Sequence, residues 1–348
     1  MIVSAPAVAK LYGEHAVVYG KLSVAVALSV YASAEISETE SNTLDVDLPQ
    51  MGVEASFSKE ELRGLFYDYA FRKGIDSFID AHKSVSEHVL PYAVIASRLM
   101  FGYGVSALGV RVTINSEIPV KKGFASSAAC ATAFTVAVLK RSHAALPTGE
   151  IIEIARDGDR VLHRNEGAGR IDVSAALLGG YVSYSNAKGA SREQVDTNID
   201  MLFIDTGPKK STAETVGHVS ELYKSNRAYA EALFLAIENC AAEGLEALRK
   251  GDISKAGALM YKNHEMLAEL GVSSDGLDRA VATAKELSMY GAKLSGGGGG
   301  GMVVAIGRDL EAASAAIESK GFATSKYSVA FDGAISYISD MLSAEYSR

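Results

Sequence analysis

The sequence predicts an α+β protein of two domains, and three observations carry that expectation. The chain has 348 residues, about twice the length of a usual domain. Stretches with strand periodicity and stretches with helical periodicity both occur, yet they do not alternate with the βαβ regularity that builds a parallel sheet. No period of about 20–50 residues repeats, which excludes a solenoid or a propeller. The division is expected near residue 190, giving domains 1–190 and 191–348. A chain this long buries about three quarters of the surface its unfolded form exposes, so it needs neither disulfides nor metal staples to fold.

The elements follow in order. Ile2 to Ala9 is apolar and rich in small residues, as in a buried strand, and Tyr12-Gly13-Glu14-His15 interrupts it. Leu22 to Val30 is rich in Val and Ala and runs on through Tyr31 to Ile36 with polar residues beginning to alternate, so a strand or a pair of strands is expected. Residues 38–58 place Leu44, Val46 and Leu48 at alternate positions, the pattern of a hairpin at a domain edge. Helical spacing covers 59–102, through Leu62, Leu65 and Phe66 and then Leu90, Val94, Ile95 and Leu99. Val110 to Ile114 alternates as a strand; a Gly/Ser loop and the apolar run Ala128 to Leu139, a buried helix, come next. A helix is expected over 149–163, a strand over Leu177–Tyr184 entered through a glycine pair, and a short strand over Met201–Asp205. From Ser211 to about Met289 Ala, Leu and Glu dominate and helix is expected. Lys293 to Ile306 reads as strand, six-glycine loop and strand, with a helix near 309–320 and a last strand and helix behind it.

Composition narrows the function. Hydrophobic residues make up 48% and charged residues 22%, which excludes an intrinsically disordered chain. The net charge of −8 is wrong for a sequence-independent nucleic-acid binder, which needs a basic surface. Cys130 and Cys240 lie in apolar, Ala-rich stretches and read as buried reduced thiols, and no zinc-ligand spacing occurs. The N-terminus has no basic segment before an apolar core, and no uncharged apolar run reaches the length of a membrane span, so a cytoplasmic protein without membrane or nucleic-acid partners is expected.

Three segments carry candidate chemistry. Gly123-Phe124-Ala125-Ser126-Ser127-Ala128-Ala129 opens an apolar helix, where backbone N–H groups and the helix dipole favour an anion; the bland alternative is a serine cap. It is neither a Walker loop, lacking Gly-Lys-Ser/Thr at the required spacing, nor a dinucleotide-binding fingerprint. The six glycines Gly296 to Gly301 lose much conformational freedom on folding, so a ligand phosphate or a facing loop must need a backbone without Cβ; a flexible linker is the alternative. Residues 159–180 hold Asp159 and Asp172 on either side of a Gly-rich turn, where one carboxylate could hold magnesium and the other accept a hydroxyl proton; each could equally be a surface or capping carboxylate.

In order and spacing these segments resemble the GHMP kinase superfamily, and within it the mevalonate kinase branch, especially its archaeal form. GEHAVVYG (13–20), IPVKKGFASSAA (118–129), RID (170–172) with Gly179-Gly180, DTGPKKST (205–212), NHEMLAELGVSS (263–274) and KLSGGGGGG (293–301) carry the resemblance, which covers nearly the whole chain. It implies a two-domain fold with a ribosomal-protein-S5-like nucleotide-binding domain followed by a ferredoxin-like domain, and ATP and Mg2+ as cofactors. By the same resemblance Asp172 is the catalytic aspartate, and Asp159 and Ser127 bind magnesium. Lys122, Gly123, Ala125, Ser126, Ser127, Ala128, Gly298 and Gly299 hold the nucleotide. Glu14, His15, Lys121, Arg170 and Gly180 line the substrate. The family's frequent dimers imply a homodimer only by analogy.

Departures from the family pattern are equally specific. The family lysine seven residues before the His of Gly-Glu-His is Val8 here, while Lys10, two residues on, is the candidate to act in its place. Asp159 stands two residues further from the catalytic segment than its counterpart. Lys121, Lys122 and Arg170 replace small residues, which implies an acceptor more negative than usual. The expectation is therefore a kinase that phosphorylates the 5-hydroxyl of mevalonate already phosphorylated on its 3-hydroxyl, a modified route found in some archaea. The alternatives are plain mevalonate as acceptor, a phosphomevalonate kinase, a decarboxylase or a non-catalytic nucleotide sensor.

Overall fold

The computed structural model describes residues 1–72, 74–120, 122–165, 169–208 and 212–339. Two sheets organise them. The first has seven strands: β1 (Ile2–Tyr12), β2 (Ser23–Glu38), β3 (Thr43–Leu48), β4 (Val53–Ser58), β5 (Val110–Ser116), β6 (Tyr181–Ser185) and β7 (Gly189–Arg192), in the order β4-β3-β5-β2-β6-β7 with β1 on the other edge of β2. β2 is the hub. β1 pairs along it from Ile2 opposite Glu35 to Tyr12 opposite Val24, while β5 takes residues 32–38 of its far edge and β6 residues 23–26. Every pairing is antiparallel except β3 with β5.

The burial pattern explains the change of texture along Leu22 to Ile36. Ser23 to Leu28 is buried at every position, whereas Ser29, Tyr31 and Glu35 are exposed between buried neighbours. One long strand is thus covered on both faces in its first half and on one face in its second, and its sequence passes from continuous apolar to alternating at the same point. β1 is buried almost throughout and reads as continuous apolar.

The helices of this part are α1 (Lys59–Phe71), α2 (Ile75–Ala81), α3 (Leu90–Tyr103), α4 (Ser126–Arg141), α5 (Thr148–His163) and α6 (Arg170–Leu178). Ser58 and Glu61 start α1 with a reciprocal capping box. All residues of α4 from Ala128 to Leu139 are buried, and its alanines let it lie close to β1, β2, α3 and α5. The helical spacing over 59–102 resolves into three helices rather than one.

The second sheet, order β11-β8-β10-β9, comprises β8 (Met201–Asp205), β9 (Gly291–Ser295), β10 (Met302–Ile306) and β11 (Ala323–Tyr327), all antiparallel. α7 (Thr212–Ser225), α8 (Arg227–Arg249), α9 (Ile253–Glu269), α10 (Asp275–Glu286) and α11 (Leu310–Ser319) complete this part. Its own apolar cluster includes Leu202, Phe234, Leu267, Leu277, Leu294 and Val303. After β11 the chain returns to the first sheet. Val329 bridges Leu28, Ser29 N–H donates to Ser328 O (3.0 Å), and Ala330 N–H donates to Ala27 O (2.9 Å), filling the gap between β5 and β6.

Two expectations need correction, and one strand had not been expected. Leu177 and Leu178 end α6 rather than begin a strand, because Ile171, Val173 and Ala175 to Leu177 form a buried helical face and Gly179, at φ 71°, breaks it. β7 is a short, largely exposed edge strand with no apolar alternation to announce it. The last helix is, among the described residues, a 3-10 stretch at Ala334–Ile338. No helix among the described residues is long and apolar enough to cross a membrane.

Candidate active site

β1 and α6 bring together the first two site residues. Lys10 Nζ donates to both carboxylate oxygens of Asp172, at 2.7 and 2.9 Å, and each side chain keeps 20% of its surface exposed. Burial alone would lower the Lys10 pKa, but the charge and hydrogen bonds of Asp172 outweigh it and the pKa is raised. Asp172 stands in the first turn of α6, where the helix dipole favours a carboxylate. The helix starts at Gly169, whose φ is 82°; a Cβ there would lie 2.3 Å from Asp159 Oδ2. Asp159, on α5, is thereby pressed against the start of α6 despite its longer spacing in sequence. Val8, at the position of the family lysine, is in the core with 1% exposure. The lysine that meets Asp172 is Lys10.

The loop before α4 lies alongside. Phe124 O accepts from Val8 N–H (3.0 Å), tying the loop to β1. Gly123 and Ala125 have φ values of 85° and 53°, and no side chain caps the helix that follows, so neither serine is its cap. The serines diverge instead. Ser126 Oγ lies 3.1 Å from Ser116 Oγ, toward β5, while Ser127 Oγ is 2.8 Å from His163 Nε2. The same nitrogen is 3.5 Å from Asp159 Oδ1. Ser127 and Asp159, predicted as a pair, therefore flank one point. Ala128 is buried in the helix.

The glycine run is held by contact, not slack. Gly296 and Gly298 to Gly301 all have positive φ. A Cβ on Gly298 would stand 2.1 Å from Val272 O, and Gly299 N–H donates to that carbonyl (2.8 Å). On its other side the run meets the loop before α4, since a Cβ on Gly296 would lie 3.8 Å from Gly123 Cα. The packing on both sides removes the linker alternative.

Several predicted ligands have other partners. Glu14, expected to line the substrate, is 2% exposed and ion-paired with Lys293. His15 is buried, and because Gly297 O can only accept, its Nε2–H donates there at 3.0 Å. Burial pushes the His15 pKa down to about 4, aided by Lys10 and Lys293 against the pull of that hydrogen bond, so the ring is neutral near pH 7. Arg170 points its Nε at Glu153 (2.8 Å) and a terminal nitrogen at Tyr184 Oη (3.1 Å). Lys122 is ion-paired with Asp205 at the end of β8. Gly180, at the end of α6 away from Asp172, donates to Ala330 O (2.7 Å) and accepts from Ala27 N–H (2.9 Å), a structural splice rather than a substrate contact. Lys121 lies outside the described residues.

Sequence reasoning missed Lys293. Its ammonium is fully buried, paired with Glu14, and donates to Leu294 O (2.6 Å) and Lys10 O (3.4 Å). Burial lowers its pKa, opposed by Glu14 and reinforced by the charge on Lys10. The signal was present: a lysine in the middle of an otherwise uncharged strand, GAKLS, must be paired if it is buried.

Comparison with known proteins agrees with this architecture. Residues 90–180 match the family model for the GHMP kinases N terminal domain, and residues 245–319 that for GHMP kinases C terminal. Mevalonate kinase of Pyrococcus abyssi is 31% identical over 326 residues, 90% of this chain and 91% of the relative. Mevalonate kinase of Thermococcus sibiricus is 30% identical over 88% of this chain and 89% of the relative. The crystal structure of the Methanococcus jannaschii mevalonate kinase superimposes with a TM-score of 0.76 at 23% identity, covering 94% of this chain and 98% of that one. With full-length relatives of this similarity, the chain belongs to the GHMP kinase family, on its mevalonate kinase branch, and is an ATP-dependent phosphotransferase acting on a hydroxyl group.

Proposed function

We propose that the chain transfers the γ-phosphate of ATP to the 5-hydroxyl of mevalonate, and that Lys10 and Asp172 perform the transfer. The observation that carries this reading is the two-point contact between them at a part-exposed junction of β1 and α6. A carboxylate gripped at both oxygens by an ammonium can orient an acceptor hydroxyl and take its proton, while the ammonium faces the charge on the transferred group. The triphosphate is assigned to the start of α4 beside the glycine run, where an uncapped helix N-terminus favours an anion. A cavity of about 370 Å³ beyond the C-terminal end of α5, with Ile79, His82, Leu90 and Arg164 among its walls, is of a size for the base.

The residues present fit a magnesium ion. Asp159 Oδ1 is buried without a hydrogen-bond partner, and Ser127 Oγ is the neighbouring oxygen donor. Magnesium takes one or two protein oxygens and completes its shell with phosphates and water. When bound, the ion would neutralise triphosphate charge.

Plain mevalonate is favoured over its 3-phosphate because Lys122 and Arg170, the described extra cations, already face Asp205 and Glu153, and because the relatives are named mevalonate kinase. One observation supports the 3-phosphate as a second reading: Arg170 keeps 39% of its side chain exposed two residues before Asp172. Incubation with ATP, Mg2+ and, in turn, mevalonate, its 3-phosphate and its 5-phosphate decides between them by the larger kcat/KM. In the same assay Asp172→Asn is expected to lower kcat at least about a hundredfold with little change in the KM for ATP. Near-normal turnover in the folded variant would remove Asp172 from the chemistry.

A further inference from the structure

We infer that Lys293 is a positioning residue for phosphoryl transfer: by holding Glu14, it keeps that buried carboxylate from competing with Asp172 for the ammonium of Lys10. The inference rests on the Lys10–Asp172 reading above and adds a second lysine–carboxylate pair to it.

The geometry sets up the competition. Glu14 follows Lys10 by four residues, at the turn that ends β1, and Lys293 Nζ reaches both the Glu14 carboxylate and the Lys10 carbonyl. Two carboxylates and two ammonium groups thus share one junction between the sheets. One pair is part-exposed; the other has side-chain exposures of 0% and 1%. The pairs also sense each other, since Glu14 is among the charges that raise the Lys10 pKa and Lys10 among those that lower that of Lys293. Lys293 cannot touch a ligand from its fully buried position, so its influence passes through Glu14 and the β1 backbone.

Glu14 Oε2 already has no hydrogen-bond partner, so Lys293 supplies the charged contact at the other oxygen. Without Lys293 the carboxylate would be buried and bare, a state that proteins relieve by protonation or by recruiting a cation. Lys10 is the cation at hand, on a flexible four-carbon stem. Its departure would take from Asp172 the two-point contact that holds its carboxylate in place. Neutralising Glu14 as well removes the competitor, which predicts an asymmetry that a mere structural salt bridge would not show.

The test uses the full chain and compares Lys293→Met, Glu14→Gln and the double variant with Asp172→Asn. Circular dichroism and thermal melts establish folding, and kcat and both KM values are measured. Lys293→Met is expected to lower kcat by about thirtyfold or more with KM for ATP within about threefold; Glu14→Gln should cost much less, and the double variant should regain about tenfold over Lys293→Met. Equal losses in Lys293→Met and Glu14→Gln, or a folded double variant no faster than Lys293→Met, would overturn the inference. If Lys293→Met does not fold, Glu14→Gln and the double variant decide: both staying within about tenfold of the parent supports the inference, and either falling as far as Asp172→Asn overturns it. Near-normal turnover of Asp172→Asn would instead overturn the reading of the site itself.

Discussion

The loop that opens α4 and the glycine run between β9 and β10 face each other, yet they hold their shapes differently. In the first, Gly123 turns the chain at φ 85°, and a Cβ there would find only Ser295 O, at an ordinary 3.5 Å. Ala125, two residues on, takes a left-handed conformation with a side chain in place. In the second, Gly298 has a comparable φ of 75° but no room at all, with Val272 O at 2.1 Å from its would-be Cβ. The first loop needs glycine for backbone conformation; the second needs it for close approach. A similar positive φ at Gly123 and Gly298 thus conceals unequal tolerance, and the difference sets the order of expected effects.

The largest effect is expected at Gly298. Gly298→Ala combines left-handed strain with a clash against a backbone carbonyl and should lower stability by about 4 kcal/mol, as measured by denaturant unfolding. A loss under about 1 kcal/mol would mean that the 270–274 segment yields, and the contrast between the loops would fail. Next comes His15, which clips the run through Gly297. Its folded pKa of about 4 lies below the ordinary 6.5, so between these values the unfolded chain binds the extra proton and stability falls as pH is lowered. Up to about 3 kcal/mol is at stake. His15→Gln should flatten that part of the stability–pH profile; an unchanged slope would assign it to other groups. The smallest effect is expected at Gly123, where Gly123→Ala adds left-handed strain alone, about 1 kcal/mol. A cost as large as that of Gly298→Ala would erase the distinction.

Much of this was legible in the sequence, for reasons that particular residues show. Leu44, Val46 and Leu48 alternate because one face of β3 packs into the core while Thr43, Asp45 and Asp47 take the other, and the hairpin followed from them. The six glycines stood out because nothing but close approach justifies so much lost chain entropy. Lys10 could be nominated as the acting lysine because it stands two residues from the family lysine's position, on the same face of a strand. The start of α6 was not legible. Its cap position holds Gly169 rather than the Ser, Thr, Asp or Asn that mark a helix start, and Leu177-Leu178 before a glycine pair looks the same in a helix as in a strand. Nor were the partners of Lys122, Arg170 and Glu14 legible, because Asp205, Glu153 and Lys293 lie far from them in the chain and only folding brings them together.

The return of residues 328–330 to β2 has a consequence for how the protein is made. Ser29 and Ser328 are hydrogen-bonded across 299 positions of chain. A ribosome adding about 5–20 residues per second takes roughly 15–60 s to supply the second partner after the first. During that interval the far edge of β2 has unmatched amides between β5 and β6, an opening for unwanted strand pairing. Nascent chains stalled before residue 328 should therefore depend on chaperone protection more than chains released after it, even though most of the first sheet has already emerged.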